Sequence, residues 1–183
     1  AVKFQTMLHQ TWQTTLKQLE RRFTAETYHN RIEAIRQQTG DVQQQALIEL
    51  TQEGEELDLK LISRNDEHCF IPVQYVDDKV LEMTQADINA LSSKERSEIN
   101  ANIRHMDKKL ERLGMHLGDL EEDARDKVQV LNRDIAKQVL LPKVEQLLTK
   151  FAEVEGLKDY LKYYAEDIIN NVEVVLEQEE DDF

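Results

Sequence analysis

The stretch Ile99–Ala124, INANIRHMDKKLERLGMHLGDLEEDA, decides the fold. Ile99, Ile103, Met106, Leu110, Leu113, Leu117, Leu120 and Ala124 follow one another in alternating steps of four and three. That rhythm keeps one apolar stripe of a helix turned toward a partner helix, so the run specifies a coiled-coil seam. Upstream, Ser92 and Glu95 have the spacing of a capping box, which starts the helix at Ser93. Downstream, an extra four-residue step from Ala124 to Val128 precedes Leu131, Ile135 and Val139, a stutter that relaxes the supercoil. Pro142 lacks an amide and crowds the preceding turn, so a bend or break is expected there. Asn132, Arg133 and Asp134 read as a polar junction beside that bend.

A seam needs a second wall, and residues 4–53 supply one. Phe4, Leu8, Trp12, Leu16, Leu19 and Phe23 recur at helical spacing, and the stripe continues through Tyr28, Ile32, Ile35, Val42, Ala46 and Leu50. The pattern predicts a single amphipathic helix ending near Gly54. Gly40 inside it costs about 1 kcal/mol relative to Ala, so a loosened turn is expected.

Between these walls the period changes. Leu57, Leu59 and Leu61 alternate with polar residues, Arg64–Glu67 can turn the chain, and Phe70–Val76 reads as a second strand. Pro72 should place that strand at an edge or a bulge. Asp77 and Asp78 can turn into a third strand, Lys79–Met83, and Thr84 with Asp87 starts a short helix. After Pro142 a helical piece should run to Glu155 and stop at Gly156. A last amphipathic helix then carries Leu157, Tyr160, Leu161, Tyr164, Ile168 and Ile169.

The expected fold is mainly α, an elongated antiparallel helical hairpin with a small antiparallel β unit between its long helices. In sequence it divides into a long helix (1–54), the β unit (55–83), a short helix and the heptad helix (84–141), C-terminal helices (142–176) and an acidic tail (177–183). The hairpin seam is expected to comprise Leu16, Leu19 and Phe23 together with Ile99, Ile103, Met106, Leu110, Leu113, Leu117 and Leu120, with Pro142 as the bend. The start at Ala1, inside a helical pattern, reads as that of an excised piece.

Composition narrows the function. The net charge is −14, and the excess sits in two places. Residues 55–92 carry 3 basic against 9 acidic side chains, and residues 156–183 carry 2 against 9. Nonspecific nucleic-acid binding draws its affinity from Lys and Arg neutralising phosphates, and the sequence forms no basic face of that kind. A single cysteine, Cys69, allows no internal disulfide and suits a reducing, cytoplasmic compartment. No apolar run approaches the roughly 20 residues of a membrane span, so no membrane role is expected.

The residue types that carry chemistry are scattered. There is no phosphate-binding glycine loop, nucleophile elbow or HExxH pair. Asp119, Glu121, Glu122 and Asp123 point to different sides of a helix, and His105 and His116 lie about three turns apart. No catalytic, cofactor-binding or metal-ligating residue is assigned. Cys69 reads as a packing residue, Trp12 with Tyr160, Tyr163 and Tyr164 as a helix junction, and Gly114 and Gly118 as permitting close helix approach or marking the tip region of the hairpin.

The order of these features is similar to a known arrangement. A long helix, a strand unit with Phe70-Ile71-Pro72, and Met83–Ser92 (MTQADINALS) come first. The heptad helix follows, then Leu131–Ala136 (LNRDIA), Tyr160-Leu161 and Asp167–Asn171 (DIINN). Together they resemble the helical insertion of Lon-like ATP-dependent proteases, the group called protease La homologue type 2. Glu55, Glu56, Glu67 and His68 stand where turn glycines would be expected, which leaves the strand register open. The resemblance implies a parent with an AAA+ ATPase using ATP and Mg, a Ser-Lys proteolytic domain and a homo-oligomeric ring. This chain would be its non-catalytic module, helping protein substrates engage or enter the ring. The competing readings are a stand-alone coiled-coil adaptor or holdase and a structural dimeriser.

Overall fold

A computed structural model describes residues 2–64 and 67–175. Its elements are α1 (Val2–Phe23), α2 (Glu26–Glu55), β1 (Leu59–Arg64), β2 (Glu67–Val76), β3 (Lys79–Glu82), α3 (Gln85–Ala90), α4 (Ser93–Lys150) and α5 (Leu157–Asn170). The chain is mainly helical, with the three-stranded sheet falling between the long helices in sequence. It forms two compact units, residues 1–36 with 124–183, and residues 37–123, so that α2 and α4 contribute to both. The turn expected at Arg64–Glu67 contains Asn65 and Asp66, which lie outside the described residues, as does the acidic run 177–183.

In the unit of residues 37–123, α4 meets α2 antiparallel. Lys109 pairs with Glu53, and farther along Gln43 Nε2 donates to Glu121 Oε1 at 3.5 Å. The heptad residues Ile103, Met106, Leu110 and Leu113 pack with Leu50, Leu59 and Phe70, closing a core under the sheet. The sheet order is β1-β2-β3, all antiparallel, with Leu59 opposite Pro72 and Tyr75 opposite Val80. Pro72 therefore lies in the central strand rather than at an edge, and its position shows why. Val73 N donates to Asp58 O at 2.9 Å and Met83 N to Pro72 O at 3.0 Å. The reciprocal bond at Pro72 would fall beyond the end of β3, so the missing amide breaks no ladder. Asp77 and Asp78 both take positive φ, 49° and 60°, as the two central residues of a tight type I′ hairpin require.

In the unit of residues 1–36 and 124–183, α1, α4 and α5 share a core of Leu19, Ala136, Val139, Leu140, Ile168 and Ile169. A neighbouring cluster joins Leu147 of α4 to Leu157 and Leu161 of α5, with Phe4 against Phe151 edge to face at 5.0 Å.

Four expectations about helix continuity are corrected. The first wall is two helices, parted at Thr24–Ala25, not one. Thr24 Oγ1 bonds back to Glu20 O at 2.9 Å, closing the last turn of α1, while Ala25 O accepts from Tyr28 N at 3.0 Å to open α2. Gly40 lies in unbroken helix, with its surface open to water. At Pro142 α4 is not broken but runs on to Lys150, so the expected break is absent. The helical piece ends five residues earlier than expected, and Gly156, at φ 74°, opens α5 instead of closing the preceding helix. Gly114 and Gly118 do not mark a close approach either, since a Cβ at either position would meet nothing within 4 Å.

Gly54 is the glycine that packing demands. A Cβ there would overlap the ring of Phe70, which is 3 % exposed. Gly54→Ala should gain helix propensity yet lose stability, by about 1–3 kcal/mol, as overpacking does. Chemical denaturation with an unchanged m-value checks this; equal or higher stability would contradict the packing account.

Both anticipated caps are present. Ser92 N donates to Glu95 Oε2 at 2.8 Å and Glu95 N to Ser92 Oγ at 3.3 Å, and Thr84 and Asp87 make the same reciprocal pair. These bonds, first from the hydroxyl and then from the backbone amide, hold both carboxyls below the usual range. Their contribution is full above the ordinary carboxylate pKa and is lost as pH falls through the lowered values. Glu95→Gln should lower the melting temperature at neutral pH, with the gap to the unaltered protein closing in acid. A gap independent of pH would show that the carboxylate charge is not what the cap uses.

Candidate functional site

The residues expected to form one seam are gathered in two places. Leu19 and Phe23 join Ala136 and Val139, with Leu16 half-buried on the same helix, whereas Ile103, Met106, Leu110 and Leu113 join Leu50 and Phe70. Ile99, Leu117 and Leu120 are half-buried along the same face of α4. Pro142 lines open grooves beside α1. His105, His116 and the carboxylates Asp119, Glu121, Glu122 and Asp123 are exposed, and no cluster suited to a metal ion occurs among the described residues. Cys69 is half-buried in β2. Trp12 meets Tyr164 edge to face at 5.6 Å, whereas Tyr163 is 75 % exposed. No described helix is long and apolar enough to cross a membrane.

The most exposed apolar surface of the sheet is its β2–β3 hairpin. Tyr75 is 60 % and Val80 53 % exposed, and Val76 and Leu81 are also open to solvent. All four residues of β3 are exposed. In the β2–β3 register, Lys79 and Leu81 bond back to β2, so the amides and carbonyls of Val80 and Glu82 point to the free edge. Tyr75 and Val80 face each other across the strands, on the same side as Glu82, which binds Lys60 at 3.4 Å. Alternation in the sequence gave the strands, but it could not show that this hairpin lacks a cover. The core of Leu59, Phe70 and Met106 lies against one face of the sheet, whereas Tyr75 and Val80 stand on the other.

A second constellation lies in the other unit. Asn132 is 4 % exposed and bridges two elements, accepting from Tyr28 Oη at 3.0 Å and donating through Nδ2 to Glu173 Oε1 at 2.6 Å. Burial, followed by the nearby Glu173 charge, raises the Tyr28 phenol above its ordinary pKa, outweighing the bond to Asn132. The phenol therefore stays a donor across the physiological range. Of the expected polar junction, only Asn132 is buried; Arg133 and Asp134 face solvent. The pair Tyr28 and Glu173 was not legible in the sequence, because one sits in an apolar stripe and the other, among valines, lies 145 positions away.

Comparison with known proteins returns no matching family, no matching curated protein and no matching solved structure.

Asn132→Ala should cost about 1–3 kcal/mol, because the half-buried Tyr28 hydroxyl loses its acceptor and the buried site loses the amide that bridged it to Glu173. A double-mutant cycle with Tyr28→Phe should be non-additive, recovering part of that cost. Strict additivity would show that the two side chains act independently.

Proposed function

We propose that this chain is a non-catalytic helical module of a Lon-like ATP-dependent serine protease of the cytoplasm, and that it engages protein substrates in extended form along β3. The observation that carries the reading is the uncovered edge of β3, flanked by exposed Tyr75, Val76, Val80 and Leu81. An extended chain added at such an edge gains main-chain hydrogen bonds from Val80 and Glu82, whatever its sequence, and apolar contact from alternate side chains. Natural proteins usually blunt or cover an edge of this kind, so leaving it open suits a binding role. The assignment to a Lon-like parent rests on the order of motifs from Phe70-Ile71-Pro72 to Asp167–Asn171. ATP, Mg and the Ser-Lys dyad would belong to that parent, which would be a homo-oligomeric ring.

The edge can be blocked without dismantling the sheet. The Val80 amide points outward, so Val80→Pro should leave far-UV circular dichroism unchanged while weakening binding of a fluorescein-labelled, permanently unfolded protein by about tenfold. Unchanged binding would remove the edge from the account. In the longer protease, deletion of residues 4–155 should slow protein degradation more than cleavage of short peptides. Equal loss of both would argue against substrate engagement. Suppression of aggregation by a native gene product of this chain's size, without ATP, would instead identify a holdase.

A further inference from the structure

We propose that the open side of the α1–α4 seam, in the unit of residues 1–36 and 124–183, is a docking groove for an acidic amphipathic helix of a partner protein. This surface is separate from the β3 edge and does not depend on the reading given to that edge.

Helix α5 closes only one side of the seam, where Leu161, Tyr164 and Ala165 share a tight apolar slot with Leu8, Trp12 and Leu140. Three open concavities, of about 610, 420 and 500 Å³, lie along α1, the start of α2, and α4, and none is lined by α5. They adjoin one another. Pro142 and Lys143 line both the first and the second, and Arg22 and Gln138 both the second and the third.

The groove has an apolar floor and a basic rim. Met7 and the exposed Pro142 supply the aliphatic surface, over the buried side chains of Ile135, Val139 and Leu147. Arg21, Arg22, Arg31, Lys143 and Lys150 supply positive charge, and Glu145 is the one carboxylate among the lining residues. The underlying segments share this bias within a chain of net charge −14. Helix α1 has four basic residues and one acid, and residues 124–150 have six basic residues and three acids. Arg22 Nη2 donates to Gln138 Oε1 at 3.0 Å, which holds its guanidinium over the seam. Pro142 adds a further feature, since the helix donor that would occupy the Gln138 carbonyl is absent there.

These features select the occupant. From Ile135 to Lys150 the groove follows about 22 Å of helix, the length of about four turns. An amphipathic helix of that length can lay apolar residues at i, i+3, i+4 and i+7 on the aliphatic floor and its carboxylates along the rim. Single-stranded nucleic acid would use the same cations but needs aromatic faces for its bases. The aromatic ring on the groove, Tyr28, is already engaged edge to face with Phe23 at 5.0 Å.

The test measures fluorescence anisotropy with the whole chain and three labelled probes: a helix-forming Glu/Leu peptide of about four turns, its Lys/Leu counterpart, and a single-stranded oligonucleotide of similar charge. The Glu/Leu peptide should bind at least about tenfold tighter than either alternative at about 0.1 M salt. Arg22→Glu with Lys143→Glu should abolish that preference, as should Arg21→Glu with Lys150→Glu, which leaves the Arg22–Gln138 bond intact. Lys162→Glu on α5 should leave it unchanged. Equal binding of both peptides, tighter binding of the oligonucleotide, or indifference to both charge reversals would each overturn the proposal. So would a chain ending at Val175 that binds the Glu/Leu peptide about tenfold better than the whole chain, because the groove would then belong to the chain's own acidic segment.

Discussion

Everything described depends on α4 having partners along its length. A helix of 58 residues gains little from its own propensities and must bury an apolar stripe to persist in water. Its N-terminal half does so against Leu50 and the sheet residues Leu59 and Phe70, and its C-terminal half against Leu19 of α1 and Ile168 and Ile169 of α5. The change of apolar rhythm at Ala124 to Val128 coincides with the division between the two units. The strict heptad serves a seam of helix on helix and sheet, and the altered phase beyond it serves a three-helix core.

Each unit then has one contact that leaves little freedom. In the unit of residues 37–123 it is the place where the Phe70 ring lies on Gly54, which couples the end of α2 to the central strand. In the other unit it is Asn132, whose amide satisfies the Tyr28 hydroxyl and the Glu173 carboxylate together. The first is a limit on volume and the second a limit on polarity. Both define one arrangement of their neighbours, because an altered partner leaves either an overlap or a buried polar group unpaired.

The surfaces left open follow from the same economy. The core beneath the sheet takes in Leu59 and Phe70 but stops short of Val76 and Leu81 on that face, and Tyr75 and Val80 stand on the opposite face, so the hairpin tip projects apolar side chains on both. Around α1 and α4 a single helix, α5, covers one side of a seam that has two. One open surface has a strand edge and acidic turn residues, Asp77 and Asp78, and the other an aliphatic floor with a basic rim. Their chemistry differs enough that they suit different partners.

Much of the fold was legible because it is written in short-range patterns. The heptad from Ile99 to Ala124, the capping pairs Ser92–Glu95 and Thr84–Asp87, and the alternation around Phe70 involve residues that meet within a few positions or in a regular period. Local rules expected a loosened turn at Gly40, allowed a break at Pro142 and placed Pro72 at an edge or a bulge, whereas both helices run on and Pro72 lies in the central strand. Gly40 and Pro142 lie on exposed sides of continuous helices, and Pro72 lies where the β3 ladder has ended. The break at Thr24–Ala25 had no glycine or proline to announce it. By itself, then, the sequence determined helix phase, helix starts, the hairpin turn and the mainly helical class, all set by near neighbours along the chain. Tertiary structure alone decided which apolar stripes found a partner, which buried polar groups met, and which edge and groove stayed open, because those depend on residues more than a hundred positions apart competing for the same surface.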